Sequence, residues 1–147
     1  MEDVISLTKV IIVDDDNEAV QLMSQRLNGE GFHVQTVSTG KAALELIEDW
    51  SSDLILLGTC LPDTDGFTLC KHFKDYPLTQ DIPVICLVNG ADGHQHTKAF
   101  QCGADDCITN PFTVDEVMAR ARHQLRLSQQ RQHLSQQNAL LTQEMRE

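Results

Sequence analysis

The sequence is short of several things, and each shortage narrows the field. Against 22 Asp and Glu it sets only 11 Lys and Arg, a net charge of -11. A surface of that sign repels phosphate backbones and anionic headgroups, so no nucleic-acid partner is expected within this chain. No apolar run approaches the ~18 residues that cross a bilayer, and the acidic start Met-Glu-Asp-Val lacks the charged-then-apolar pattern of a secretory leader. No membrane association is expected, and a cytoplasmic location is. The five cysteines (Cys60, Cys70, Cys86, Cys102 and Cys107) are odd in number and contain no CxxC. They read as reduced thiols, mostly small buried apolar groups, rather than a disulfide framework or zinc site. Also missing are a Gly-rich phosphate loop, a nucleophile elbow and a His-Glu-x-x-His pattern. No catalytic residue is nominated, and the chain is not read as an enzyme.

What remains is an alternation. Thr8 to Val13 is β-branched and apolar and reads as a buried strand running into Asp14-Asp15-Asp16. Phe32 to Val37 alternates polar and apolar residues, as an outer strand does. Leu54-Ile55-Leu56-Leu57 and Pro83 to Val88 are continuous apolar runs, the mark of strands covered on both faces. Asp105 to Thr109 makes a fifth, short strand. Between them lie helical stripes: Ala19, Val20, Met23 and Leu27, stopped by Asn28-Gly29; Ala42 to Ile47; Phe67 to Phe73; a weak helix from His94; and a long pattern after Thr113. Strands at this spacing with crossover helices predict a doubly wound α/β fold. The expected form is a five-stranded parallel sheet of order 2-1-3-4-5 with an extended C-terminal α-helix. The expected division is an N-terminal tail (1–8), one globular domain (9–127) and a helical extension (128–147). The order brings the end of the first strand, Asp14 and Asp15, beside Gly58 at the end of the third.

Four motifs occur in order: Ile-Ile-Val-Asp-Asp-Asp; Asp-Leu-Ile-Leu-Leu followed by Leu-Pro-x-x-Asp-Gly; Ile-Pro-Val-Ile; and Gly-Ala-Asp-Asp-x-Ile-Thr-x-Pro-Phe. With this spacing the chain, over Lys9 to Leu127, resembles the receiver domain of two-component response regulators, the CheY-like fold. The resemblance implies that Asp14 and Asp15 stand where receivers hold Mg²⁺. It also implies that four functional positions are degenerate. Gly58 stands at the phosphoacceptor aspartate and Val88 at the hydroxyl residue. Cys107 takes the place of the aromatic switch residue and Asn110 that of the lysine. It makes Asn110-Pro111 a candidate cis peptide. Glycine has no carboxylate to phosphorylate, valine donates no hydrogen bond, and asparagine brings no charge to a transferred phosphoryl group. The expectation is a pseudo-receiver that needs no cofactor. Its site would be either a weak Mg²⁺ site at Asp14 and Asp15, with the Cys60 carbonyl as a further ligand, or a carboxyl of raised pKa.

Rival acceptors near Gly58 are Thr59, Cys60, Asp63 and Asp65, with the acidic pair explained as turn formers and Thr59 and Cys60 expected to point elsewhere. His94-x-His96 lacks a third metal ligand and reads as exposed. In the tail, Leu127, Leu134 and Leu141 recur every seven residues, placing Asn138 at an a position of a heptad. A polar a residue fixes register in parallel pairs, so a parallel homodimer through this helix is expected. Arg120, Arg122, Arg126 and Arg131 add a basic segment beside an acidic domain. The resemblance implies protein partners, a histidine kinase or a downstream effector domain. The heptad still runs at Glu147, so a longer signalling protein is expected. The function expected is an unphosphorylated interaction and dimerisation module that relays a signal through its last helix. The alternatives are a phosphorylated receiver with a non-standard acceptor, or the receiver part of a larger response regulator, kinase or cyclase.

Overall fold

A computed structural model describes residues 8–89 and 93–146. In chain order the elements are β1 (Lys9–Val13), α1 (Asn17–Gly29), β2 (His33–Val37), α2 (Gly40–Asp49), β3 (Leu54–Gly58), α3 (Gly66–Asp75), β4 (Val84–Asn89), α4 (Gly93–Gln101), β5 (Asp106–Asn110) and α5 (Val114–Arg146). The five strands form one parallel sheet in the order β2-β1-β3-β4-β5, the topology the strand spacing predicts.

Successive strand residues face opposite ways, so each central strand feeds two cores. Val10, Ile12, Leu54, Leu56, Ile85 and Ile108 pack with Met23 and Leu27 of α1 and Val117, Met118 and Ala121 of α5. Ile11, Val13, Ile55, Leu57, Cys86 and Val88 pack on the other face with α2, α3 and Ala99 of α4. Each fully buried Leu or Ile contributes about 1.5–3 kcal/mol by leaving water. Three helices begin with side-chain caps that satisfy orphan backbone donors: Asp16 accepts from Ala19, Thr39 from Ala42 and Asp65 from Thr68. At the start of α5 the Thr113 hydroxyl accepts from Glu116 N at 3.1 Å.

One local expectation needs correction: β4 and β5 each run one residue further than the apolar pattern, to Asn89 and Asn110, which are register partners. Their polar side chains conceal them from a hydrophobic reading. Helix α1 ends at Gly29, as the Asn28-Gly29 stop predicts, and the chain then turns through Gly31, whose φ of 97° is open to glycine at little cost. Helix α5 runs on through Leu127 without a break. Its arginines fold back on the domain's own acids: Arg122 to Glu30 (2.9 Å), Arg120 to Asp106 (3.3 Å) and Arg131 to Asp105 (4.0 Å).

Candidate functional site

At the carboxyl ends of the central strands a cleft of about 190 Å³ opens, where an open parallel sheet offers its natural binding crevice. Asp14, Asp15 and Asp16 form one bank, Gly58, Thr59 and Cys60 the floor, and Asn89 and Asn110 the far bank. The sequence reading thus places Asp14, Asp15, Gly58 and Asn110 correctly around one cavity. Thr59 and Cys60 also line the cleft. Thr59 is nonetheless buried, with its hydroxyl donating to the Leu87 carbonyl at 3.4 Å.

The centre of the site is a substitution of one group by its neighbour. A Cβ built on Gly58 would stand 2.8 Å from Cγ of Asp14 and 2.9 and 3.1 Å from its two oxygens. The Asp14 carboxyl therefore occupies the space in which a side chain at 58 would begin. Its Oδ1 accepts the Asp16 N–H at 3.3 Å. Burial pushes the Asp14 pKa above the usual carboxylate value, and repulsion from Asp15 and Asp16 adds to this. The backbone N–H groups of Asp16 and Asp15 oppose it.

The floor is fixed from below by Gly66. Its N–H donates to the Thr59 carbonyl at 2.9 Å. A Cβ there would lie 2.1 Å from the Gly58 carbonyl oxygen, so close backbone approach requires glycine at this position.

On the far bank, Val88 does not reach the cleft. Its side chain is fully buried in the apolar cluster with Val84, Cys86 and Cys107. The residue that faces the cavity is Asn89, which the sequence reading passed over. The period of two was the available signal, because the residue after Val88 must face the other way. The Asn89 N–H donates to Oε1 of Gln95 at 3.0 Å, and its Nδ2 approaches Sγ of Cys60 at 3.8 Å. Nδ2 of Asn110 donates to Oδ1 of Asn89 at 3.4 Å. This bank is an uncharged amide pair. The Asn110–Pro111 peptide is cis.

The rival acceptors are otherwise engaged. Asp63 accepts from the N–H groups of Gly40 and Lys41, both at 2.9 Å, at the start of α2, which holds its carboxyl below the usual range. Asp65 caps α3, accepting from Thr68 N at 2.7 Å, which lowers its pKa in the same way. His96 pairs through Nε2 with Oγ1 of Thr109. Among the described residues no three His, Cys, Asp or Glu converge as a metal cage. Magnesium demands near-octahedral oxygen ligation, and one Asp14 oxygen is engaged by the Asp16 N–H while its carboxyl stands over Gly58.

On α5, Leu127 and Leu134 are exposed, at 37% and 57%. The side chains of Asn138 and Leu141 lie outside the described residues. No helix among the described residues is long and apolar enough to cross a membrane.

Comparison with known proteins agrees with this architecture. The chain is 37% identical over 120 residues to the DNA-binding dual master transcriptional regulator RpaA of Synechocystis, covering 82% of this chain and 50% of that protein. It is 37% identical over 125 residues to the regulatory protein VanRc of Enterococcus gallinarum, covering 85% and 53%. The chain thus spans about half the length of these curated relatives. Among solved structures, a response regulator of Chloroflexus aurantiacus superposes with a TM-score of 0.78 at 31% identity, covering 81% of this chain and 98% of that one. The model of the response regulator receiver domain matches residues 10–122, and the chain belongs to that family, the receivers of two-component signal transduction.

Proposed function

We propose that this receiver domain works without phosphorylation, as a protein-interaction and dimerisation module that passes a binding event into α5. One observation carries the reading: the Asp14 carboxyl fills the space above Gly58. The acceptor position is therefore without a nucleophile, and the Asp14 side chain stands where one would begin. The far bank supports it, since neither Asn89 nor Asn110 supplies the cation that developing phosphoryl charge requires. No cofactor is needed, and Asp14 and Asp15 would bind Mg²⁺ at most weakly. The partners of such a module are proteins, a histidine kinase or an effector domain, in the cytoplasm. Exposed Leu127 and Leu134 would be the start of a parallel homodimer seam extending through Asn138 and Leu141.

A single experiment tests both halves. The chain is sedimented over a concentration series with and without acetyl phosphate and Mg²⁺, and its intact mass is recorded. The expected result is a concentration-dependent dimer, unchanged by the phosphodonor, with no phosphoryl adduct. A stoichiometric adduct would overturn the unphosphorylated reading and point to Cys60 or another surrogate. A monomer at every concentration would overturn the dimer.

A further inference from the structure

Helices α2 and α3 pack on the same face of the sheet, and they are tied to each other at both ends. At one end Asp63, in the loop that leaves the Gly58 floor, accepts the N–H groups of Gly40 and Lys41, both at 2.9 Å. The approach there is close, since a Cβ on Gly40 would stand 2.5 Å from Cγ2 of Thr64. At the other end the Tyr76 hydroxyl donates to Oε1 of Glu48 at 2.7 Å, and the His72 ring stacks on Tyr76 with centroids 5.7 Å apart. Between these ties α2 runs for about two turns, ~10 Å, and a groove of about 460 Å³ stays open.

The groove has an apolar floor and an acidic rim. Half-buried Leu44 and buried Leu69 form the floor. Glu45 and Glu48 stand exposed along the α2 rim, with Thr68 and His72 on the α3 side. Glu45 has no ion pair among the described residues. An apolar furrow rimmed by carboxylates is complementary to an amphipathic helix with basic flanks. A helix laid across two neighbours sets its ridge between theirs, so two turns of groove match anchors at i, i+3 or i+4, and i+7. The N-terminal residues 1–7 are wrong in charge for this rim, because they hold Glu2 and Asp3 and no Lys or Arg. In a second copy of the chain, Arg120, Arg122 and Arg131 of α5 are already paired with that copy's own Asp106, Glu30 and Asp105.

We propose that the α2–α3 groove docks a short basic amphipathic helix of a partner protein, its apolar side chains on Leu44 and Leu69 and a Lys or Arg on Glu45. The proposal rests on the reading of the domain as a protein-interaction module, and names the surface and the partner chemistry that module uses. The Asp63 tie makes the groove continuous with the loop that leaves the Gly58 floor. A helix bound there bears on that loop directly.

The test is a selection of helix-constrained peptides of ~14 residues, about 21 Å of helix, randomised along one face, against the full 147-residue chain. Recovered binders are expected to carry apolar residues at helical spacing flanked by Lys or Arg. They should shift the amide resonances of Leu44, Glu45, Leu69 and His72. Glu45→Lys, at an exposed position that does not threaten the fold, should weaken them about tenfold. Glu18→Lys makes the same charge change in the first turn of α1, which packs on the other core, and should leave their affinity unchanged. A selection that returns no binder, or only acidic binders, would overturn the proposal. So would binders that shift α5 or cleft resonances instead, or that are indifferent to Glu45→Lys. Groove resonances that move with protein concentration alone would overturn it too, by assigning the surface to a second copy. The sedimentation and phosphoryl-adduct readouts do not involve the groove, so the broader reading fails or survives separately.

Discussion

The two banks of the cleft are built from strands of one sheet and have opposite chemistry. On the β1 side three consecutive carboxylates, Asp14 to Asp16, crowd the strand end. On the β4–β5 side the facing groups are the neutral amides Asn89 and Asn110, joined to each other at 3.4 Å. A site that transfers a phosphoryl group needs cationic charge or strong donors opposite its acids. Among the described lining residues the acids have no cationic counterpart, and burial over the glycine adds to repulsion from Asp15 and Asp16 in raising the Asp14 pKa. The contrast shows that two banks of one cleft, built from adjoining strands, can carry unmatched charge.

Three changes break or sharpen this contrast. The largest effect is expected for Gly66→Ala, which attacks the floor common to both banks. The added methyl would meet backbone atoms, the Gly58 carbonyl oxygen at 2.1 Å and the Thr59 Cα at 2.7 Å. We expect a loss of ~3 kcal/mol in urea unfolding, and a wild-type midpoint would disprove the close approach.

Asp14→Asn neutralises the acidic bank at its most buried point, while Oδ1 still accepts from Asp16. Because the folded pKa of Asp14 is raised, the stability it contributes is fully present below its unfolded value of 3.8 and lost as pH rises through the folded value. The asparagine variant should equal the wild type well below that value and be more stable at neutral pH. Unfolding curves at the two pH values measure this. A variant less stable than the wild type at neutral pH would mean that Asp14 is held by a favourable charge interaction.

The smallest effect is expected for Asn110→Lys, which gives the neutral bank a cation facing the carboxylates. It should stabilise the domain by about 0.5–1 kcal/mol at low salt, with most of the gain gone at ~1 M ionic strength, where the Debye length is about 3 Å. It should also draw the Asp14 pKa down, which carboxyl chemical shifts would report. An unchanged Asp14 titration would show that the two banks do not sense each other.

The architecture was legible in the sequence because its causes are local. The apolar runs at Ile11–Val13 and Leu54–Leu57, and the turn residues after them, fix strand positions whatever else the chain does. Gly58, Asp14 and Asn110 could be brought to one cleft by topology alone. What the sequence concealed depends on side-chain direction and on contacts between distant segments. Val88 turns into the core and Asn89 into the cleft, a difference of one residue in register. The lean of Asp14 over Gly58 and the return of Arg131 to Asp105 join residues that no local pattern relates.

The Asp14 carboxyl above Gly58 also has a meaning for inheritance. A glycine-to-aspartate change at 58 taken first would set a fourth acid against three, facing a bank with no cation, and would force Asp14 to give up its bond from Asp16. Taken after Asn110→Lys, the same change meets a compensating charge. The admission of an acid at 58 is therefore order-dependent: its first permissive step lies across the cleft from the position that changes.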